Sequence, residues 1–197
     1  MAKKSKTKTK AKSKTKKSAV KAKAKKVTRP KASARKKAVP KRPQSPPPGY
    51  ASVTAYLVAQ DAAGAIDYYK AVFGAKEDMR MPSPGGRIGH AELRIGDSKI
   101  MLADEHPEMN AHGPRHHNGS PVTIMLYVKD VDATVGKAVA KGGKLVRPVQ
   151  NQFYGDRSGA IEDPEGHIWH ISTHVEDVTA KEMKRRMDAM MKEAPPA

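Results

Sequence analysis

The chain has no cysteine, which removes disulfide bonds and thiolate chemistry and leaves a reducing compartment as a compatible setting. Acidic residues are missing from residues 1–48, which hold 20 of the 38 Lys and Arg but none of the 20 Asp and Glu. Aromatic residues are missing from the same stretch, the first being Tyr50. With so little apolar surface, this arm cannot offset a backbone ordering cost of roughly 1–2 kcal/mol per residue, and it is expected to be disordered. No apolar run approaches the roughly 18 residues of a membrane span. Near Met1 there is no apolar segment of the secretory-signal type, and a Lys-rich, Arg-poor arm makes a poor transit peptide. A cytoplasmic protein without membrane contact is the expectation.

Beyond the arm, the remaining chain carries 18 basic against 20 acidic side chains, so the pI of about 10.0 belongs to the arm. Pro40, Pro43, Pro46, Pro47 and Pro48 form a stiff linker, because each ring fixes φ and removes a backbone donor. The sequence therefore divides into an arm and linker over 1–49, a folded domain over 50–175, and a helix and tail over 176–197.

Val53 to Val58 reads as a strand, and Ala62 to Phe73 as a helix with Ile66, Tyr69 and Phe73 on one stripe. Gly74 stands where a helix C-terminal glycine belongs. Lys76 to Met81, Ile88 to Ile95 and Lys99 to Asp104 follow as strands, the last two joined at Gly96-Asp97. In the middle strand Ala91, Leu93 and Ile95 alternate with His90, Glu92 and Arg94, giving one apolar and one polar face.

This βαβββ pattern occurs twice. A shift of 69 places Thr54 on Thr123, Asp61 on Asp130, Ile66 on Val135 and Gly74 on Gly143. Near the end of each copy a shift of 68 places Ile100-Met101-Leu102 on Ile168-Trp169-His170. The fold class expected is α+β: module one over 50–105 and module two over 120–175, joined edge to edge in a curved mixed sheet around a shared cleft. A further helix over 176–193 opens on the capping box Thr179 to Glu182, and Met183, Met187 and Met190 line one side of it for packing against the domain or a dimer partner.

Four segments carry a family resemblance: Ala65-Ile66-Asp67-Tyr68-Tyr69-Lys70-Ala71-Val72-Phe73-Gly74-Ala75, His90-Ala91-Glu92-Leu93-Arg94-Ile95-Gly96-Asp97-Ser98, Gly155-Asp156-Arg157-Ser158-Gly159, and Asp163-Pro164-Glu165-Gly166-His167-Ile168-Trp169 running on to Thr173-His174. In this order they resemble the vicinal oxygen chelate superfamily, also called glyoxalase/bleomycin resistance/dioxygenase, and within it the PhnB-like branch. The resemblance implies four inward positions where metal-using members place ligands, and carries them onto Thr54, Leu102, Thr123 and His170. Only His170 is of a type that binds a divalent metal well, so neither a metal nor another cofactor is expected.

The expected function is the binding of a small organic molecule in the cleft. His170 is the candidate for proton transfer, on one strand face with Ile168 and Ser172. Thr54, Tyr56, Leu102, Thr123 and Tyr127 are the expected walls, and Tyr154 and Arg157 an aromatic and a cation for a planar or anionic group. A metal-dependent lyase, isomerase or dioxygenase using Glu92 or Asp104 as replacement ligands is the alternative from the enzyme class. His90 and Glu92 are otherwise assigned to the solvent-facing side, Asp163 to Gly166 to a β-turn, and the loop with His106, His112, His116 and His117 to unordered chain. Two partners are expected besides the ligand: a second copy in a homodimer, and nucleic acid touched nonspecifically by residues 1–48.

Overall fold

The computed structural model describes residues 43–193; the disorder and nucleic-acid expectations for the arm fall almost wholly outside them. The described chain holds two βαβββ modules and a final helix. Module one comprises β1 (Ala55–Ala59), α1 (Ala62–Phe73), β2 (Lys76–Pro82), β3 (Ile88–Ile95) and β4 (Ser98–Asp104). Module two comprises β5 (Thr123–Tyr127), α2 (Val131–Ala140), β6 (Lys144–Asn151), β7 (Asp156–Glu162) and β8 (Ile168–His174), and α3 (Ala180–Glu193) follows. The sheets run β1-β4-β3-β2 and β5-β8-β7-β6, the outer pair in each being parallel and the rest antiparallel. The α+β class and the two-module repeat are as expected.

The helices start the same way in both copies. Asp61 accepts the Gly64 amide at 2.9 Å and Asp130 accepts the Ala133 amide at 2.9 Å, each a side-chain N-cap. A second clamp comes from the last strand of each module: Asp104 Oδ1 accepts the Ala62 amide at 2.7 Å, and Thr173 Oγ1 accepts the Val131 amide at 2.9 Å. The stops differ. Gly74 takes the left-handed conformation at φ 67, as its position suggested. In module two that role passes to Gly142 at φ 100, and Gly143 is instead required because a Cβ there would collide with the Tyr68 hydroxyl.

No ladder joins the two sheets, so the expected edge-to-edge pairing is replaced by another contact. One apolar core runs through both modules, taking Leu57, Ile66, Leu93 and Leu102 from the first and Val135, Ile161, Trp169 and Ile171 from the second. Phe73 of α1 meets Trp169 at 4.6 Å and Tyr69 meets it at 5.3 Å between ring centroids. Asp163, 1% exposed, accepts the Tyr69 hydroxyl at 2.6 Å and the Trp169 indole N–H at 2.9 Å, and its other oxygen accepts the Glu165 and His167 amides. The Asp163–Gly166 turn is there as expected, with Gly166 donating to the Asp163 carbonyl at 3.0 Å, and it also supplies the buried polar tie between modules. Burying large aromatic rings removes more surface from water than two short strand edges would, so the helix sides of the sheets face inward.

The segment between modules is ordered, against expectation. His106 and Ala111 form a bridge, Glu105 accepts the Gly113 amide at 2.7 Å, and Arg115 donates to the Pro164 carbonyl at 2.9 Å. At the other end, Thr179 Oγ1 accepts the Glu182 amide at 3.3 Å, so the capping box is half made, the Glu182 carboxylate being taken by Arg185 and Arg186. Arg186 also reaches Glu176 at 2.7 Å, and Met187 and Met190 of the methionine stripe stay exposed. Among the described residues no helix is long and apolar enough to cross a membrane.

Candidate functional site

With the helix sides turned inward, the opposite face of each sheet looks outward, and large side chains stand open on it: Tyr56 is 50% exposed, Met125 45% and Tyr127 59%. The ladders fix which residues lie side by side there. Across module one the central row is Tyr56, Met101, Glu92 and Met79. Across module two it is Met125, His170, Ala160 and Arg147. The rows correspond by a shift of 69 in β1 and β4 and of 68 in β2 and β3, which places Met101, not Leu102, on His170. Leu102 is therefore a correction: it pairs with Leu57 on the helix side and is fully buried in the core, where no ligand reaches it. The earlier shift of 68 holds for β3 and β7, because the turn after β7 is longer than the one after β3.

The face of module one is filled and internally paired. Glu92, 5% exposed, accepts the Tyr50 hydroxyl at 2.7 Å and the Lys99 ammonium at 2.9 Å, and His90 Nε2 lies 3.5 Å away. The Tyr50 hydroxyl, then Lys99, hold the Glu92 carboxyl below its ordinary value. Tyr56 and His90 Nδ1 share a hydrogen bond at 2.9 Å, and Lys99 also reaches Asp78 at 3.3 Å. The assignment of Glu92 to the solvent side is thus corrected: the right face, but a closed network beneath Tyr50. Asp104, the other carboxylate considered as a ligand, lies at the helix side and accepts the Ala62 and Ile88 amides at 2.7 and 2.5 Å.

The face of module two carries small side chains at its middle. Its middle holds Ala160, Ser158 and Ser172, all small and buried, with Ser158 and Ser172 paired across β7 and β8. The next row across the sheet reads Tyr127, Ser172, Ser158 and Gln150. Larger side chains stand round this floor: Met125 and Tyr127 from β5, His170 from β8, Arg147 and Gln150 from β6. Because Ala160 occupies so little space between them, Arg147 extends across it and donates to His170 Nε2 at 2.9 Å. Burial, with the Arg147 charge second, depresses the His170 pKa below the ordinary imidazole value, so the ring is neutral at pH 7 and can accept that bond. Ser158 Oγ is buried without a hydrogen-bond partner, and Ser172 Oγ has only the Met125 sulfur at 4.0 Å. Asp156 lies on the same face of β7 as Ser158, its two oxygens taken by Tyr127 at 2.8 Å and His174 at 2.8 Å.

Of the expected residues, the fold brings His170, Tyr127 and Thr123 onto this face and Tyr56 onto the other. Thr54 lies just ahead of β1, half-buried. Arg157 is a further correction: it forms a two-pronged pair with Asp132 of α2 at 2.7 Å, on the helix side, so it is not free to bind a ligand's charge. Tyr154 packs edge-on against Phe153 at 5.3 Å, and the Gly155 that follows ties down the C-terminal segment, its carbonyl accepting the Val175 and Glu176 amides. Arg147 was not singled out from the sequence; the only available sign was its place two strands from His170, visible once β6 and β7 are in register.

The residues do not suit a divalent metal. At the implied positions stand Thr54, Thr123 and His170, with Met101 where Leu102 was placed, and hydroxyls and a thioether are weak neutral donors. Among the described residues no three His, Asp or Glu converge to hold an ion. His112 and His116 do approach, but their rings stack at 3.8 Å and nearly parallel, which prevents their lone pairs from meeting at one point. Cavities lie elsewhere on the described residues: a groove of about 880 Å³ floored by Phe73, Ile100, Leu126 and Trp169, a pocket of about 440 Å³ between Tyr56, His112, His117 and Val122, and one of about 420 Å³ beside Arg115, Lys144 and Glu162. The groove has an apolar floor, and its lining also includes Asp97, Lys129, Asp130 and Lys137.

Comparison with known proteins agrees with this architecture. Residues 50–171 match the model of the Glyoxalase/Bleomycin resistance protein/Dioxygenase superfamily. An uncharacterised protein of Mycobacterium tuberculosis H37Rv is 39% identical over 141 residues, covering 70% of this chain and 83% of its own. Among solved structures, TioX from Micromonospora sp. ML1 is similar at 28% identity and a TM-score of 0.50, over 62% of this chain and 98% of that one. A PhnB protein from Bacillus cereus, 16% identical with a TM-score of 0.50 over 62% of this chain and 99% of its own, shares the fold alone. The repeat, the two sheets and the matched span together establish that the chain belongs to the Glyoxalase/Bleomycin resistance protein/Dioxygenase superfamily.

Proposed function

We propose that the protein binds a small organic molecule on the outward face of module two, with His170 as the main polar contact and without metal chemistry. The observation that carries this is the floor of Ala160, Ser158 and Ser172, three small residues at the centre of a sheet where packing alone favours large ones. A neutral imidazole beside that floor can accept or donate a hydrogen bond, and can take a proton from a ligand acid. Native mass spectrometry of the full chain tests the reading. A co-purifying small molecule retained by the wild type and by His90→Ala, but lost from His170→Ala, is the expected result; retention by His170→Ala overturns it.

The same open faces favour a homodimer. Tyr56, Met79, Met81, Met125 and Tyr127 leave apolar surface in water on both sheets, which a second copy would cover. Sedimentation of the full chain should show a dimer that Met125→Lys weakens.

A separate reading concerns the arm. Its 20 Lys and Arg without one acid support loose contact with nucleic-acid phosphates, strongly weakened by salt. Deletion of residues 1–42 should remove that affinity; unchanged binding by the truncated chain ends the idea.

A further inference from the structure

A cation with no anion beside it says what kind of ligand the outward face of module two suits. Every other arginine of module two has an acid: Arg157 has Asp132 at 2.7 Å, and Arg115, which reaches over from the connecting segment, has Glu162 at 3.0 Å. Arg147 has no carboxylate within ion-pair reach among the described residues, and its recorded partner is the neutral ring of His170. Asp156, the nearest acid on that face, already holds Tyr127 and His174, and Glu162 holds Arg115.

A guanidinium presents a rigid planar fork of donors that matches a carboxylate in two parallel bonds. On the same sheet face stand Ser158 Oγ, buried without a hydrogen-bond partner, and Ser172 Oγ, whose neighbour is the Met125 sulfur at 4.0 Å. An unsatisfied buried hydroxyl is uncommon in folded proteins, and this one shares the face with the unpaired cation. On the β5 side that face is bordered by Met125 and Tyr127, an apolar and an aromatic surface suited to a flat hydrocarbon.

Resting on the proposed small-molecule site, we infer that its ligand is a small organic carboxylate with a planar apolar body: the carboxylate on Arg147, the body against Met125 and Tyr127, the edge against His170. Module one supports this by contrast, since the place of Arg147 in its row is held by Met79 and the place of Ala160 by Glu92, an acid that would repel the same ligand.

Benzoate and its uncharged counterpart benzamide test the inference, titrated into the full chain and followed by backbone amide shifts, which separate the sheet from nonspecific contact with the basic arm. Benzoate is expected to move the amides of Met125, Tyr127, Ala160 and His170, and benzamide to bind there at least about ten-fold more weakly. Arg147→Met, at an exposed position that should not disturb folding, is expected to reduce benzoate affinity about ten-fold or more and leave benzamide unchanged, while Arg147→Lys recovers part of the loss. Equal binding of both compounds at those amides, or benzoate binding that survives Arg147→Met, overturns the carboxylate assignment and leaves the small-molecule site standing. Shifts at those amides from neither compound overturn both.

Discussion

The two modules are built on one plan and have opposite faces. In the first, the row Tyr56, Met101, Glu92, Met79 is bulky, and its acid is neutralised by Lys99 and covered by Tyr50. In the second, the row Met125, His170, Ala160, Arg147 has a gap in its middle and an uncompensated cation at its end. The backbone, the N-caps and the strand-to-helix clamps are shared, so the difference lies in a few side chains on one side of each sheet. The contrast between the two faces is thus one of side-chain size and of where charge is paired off.

The largest expected effect concerns the clamps. Asp104 is buried and accepts two backbone amides, whereas Thr173 accepts one and donates to the Val128 carbonyl. Asp104→Ala leaves two buried donors unsatisfied and should cost about 3 kcal/mol, against about 1 kcal/mol for Thr173→Ala, as read by urea denaturation. Equal costs would show that the clamps are not what distinguishes the modules. Next come the N-caps, where the copies are alike: Asp61→Ala and Asp130→Ala should each cost about 1 kcal/mol, and a difference beyond about twofold would break the equivalence.

Acid distinguishes the faces further. Glu92 is held below its ordinary pKa by Tyr50 and Lys99, so its stabilising contribution is fully present above the ordinary carboxylate range and disappears as pH falls through the depressed value. Thermal unfolding of Glu92→Gln followed from pH 7 to pH 3 should lose less stability on acidification than wild type does. Smallest and most local is the latch on module two. His174 is raised above the ordinary imidazole value by Asp177 and then Asp156, so its contribution is present below about pH 6.5 and fades as pH rises through the folded-state value. Amide exchange at residues 175–186 should quicken between pH 6 and pH 8, after correction for intrinsic exchange, and that dependence should vanish in His174→Gln.

Periodicity carried the architecture well because it depends on local chemistry. Ile66, Tyr69 and Phe73 lie on a buried stripe, Ala91, Leu93 and Ile95 face the core, and the 69-residue shift matches the N-caps and the helix clamps alike. Strand alternation alone could place His170 with Ser172 on one face of β8, and Tyr127 with Thr123 and Met125 on one face of β5. What could not be read was the register across strands. Leu102 was misplaced by one residue because the β7–β8 turn differs in length from the β3–β4 turn, and a one-residue slip moves a side chain to the other face. Arg157 was assigned to a ligand's charge for a related reason: it stands on the helix side because β7 alternates from Asp156, and only α2, folded against it, supplies Asp132. Neither the buried Asp163 tie nor the closing of Glu92 by Tyr50 was visible, since both join residues far apart in the chain.

The claim on which the account depends is that ligand chemistry belongs to the outward face of module two. Amide-shift mapping of a set of small aromatic fragments, neutral and charged, on the full-length protein tests it most directly. Binders are expected to perturb β5, β6, β7 and β8 around Met125, Arg147, Ala160 and His170, with His170→Ala abolishing those shifts and His90→Ala leaving them intact. Binding centred instead on Tyr56, His90 and Glu92, or in the groove over Phe73 and Trp169, would contradict it.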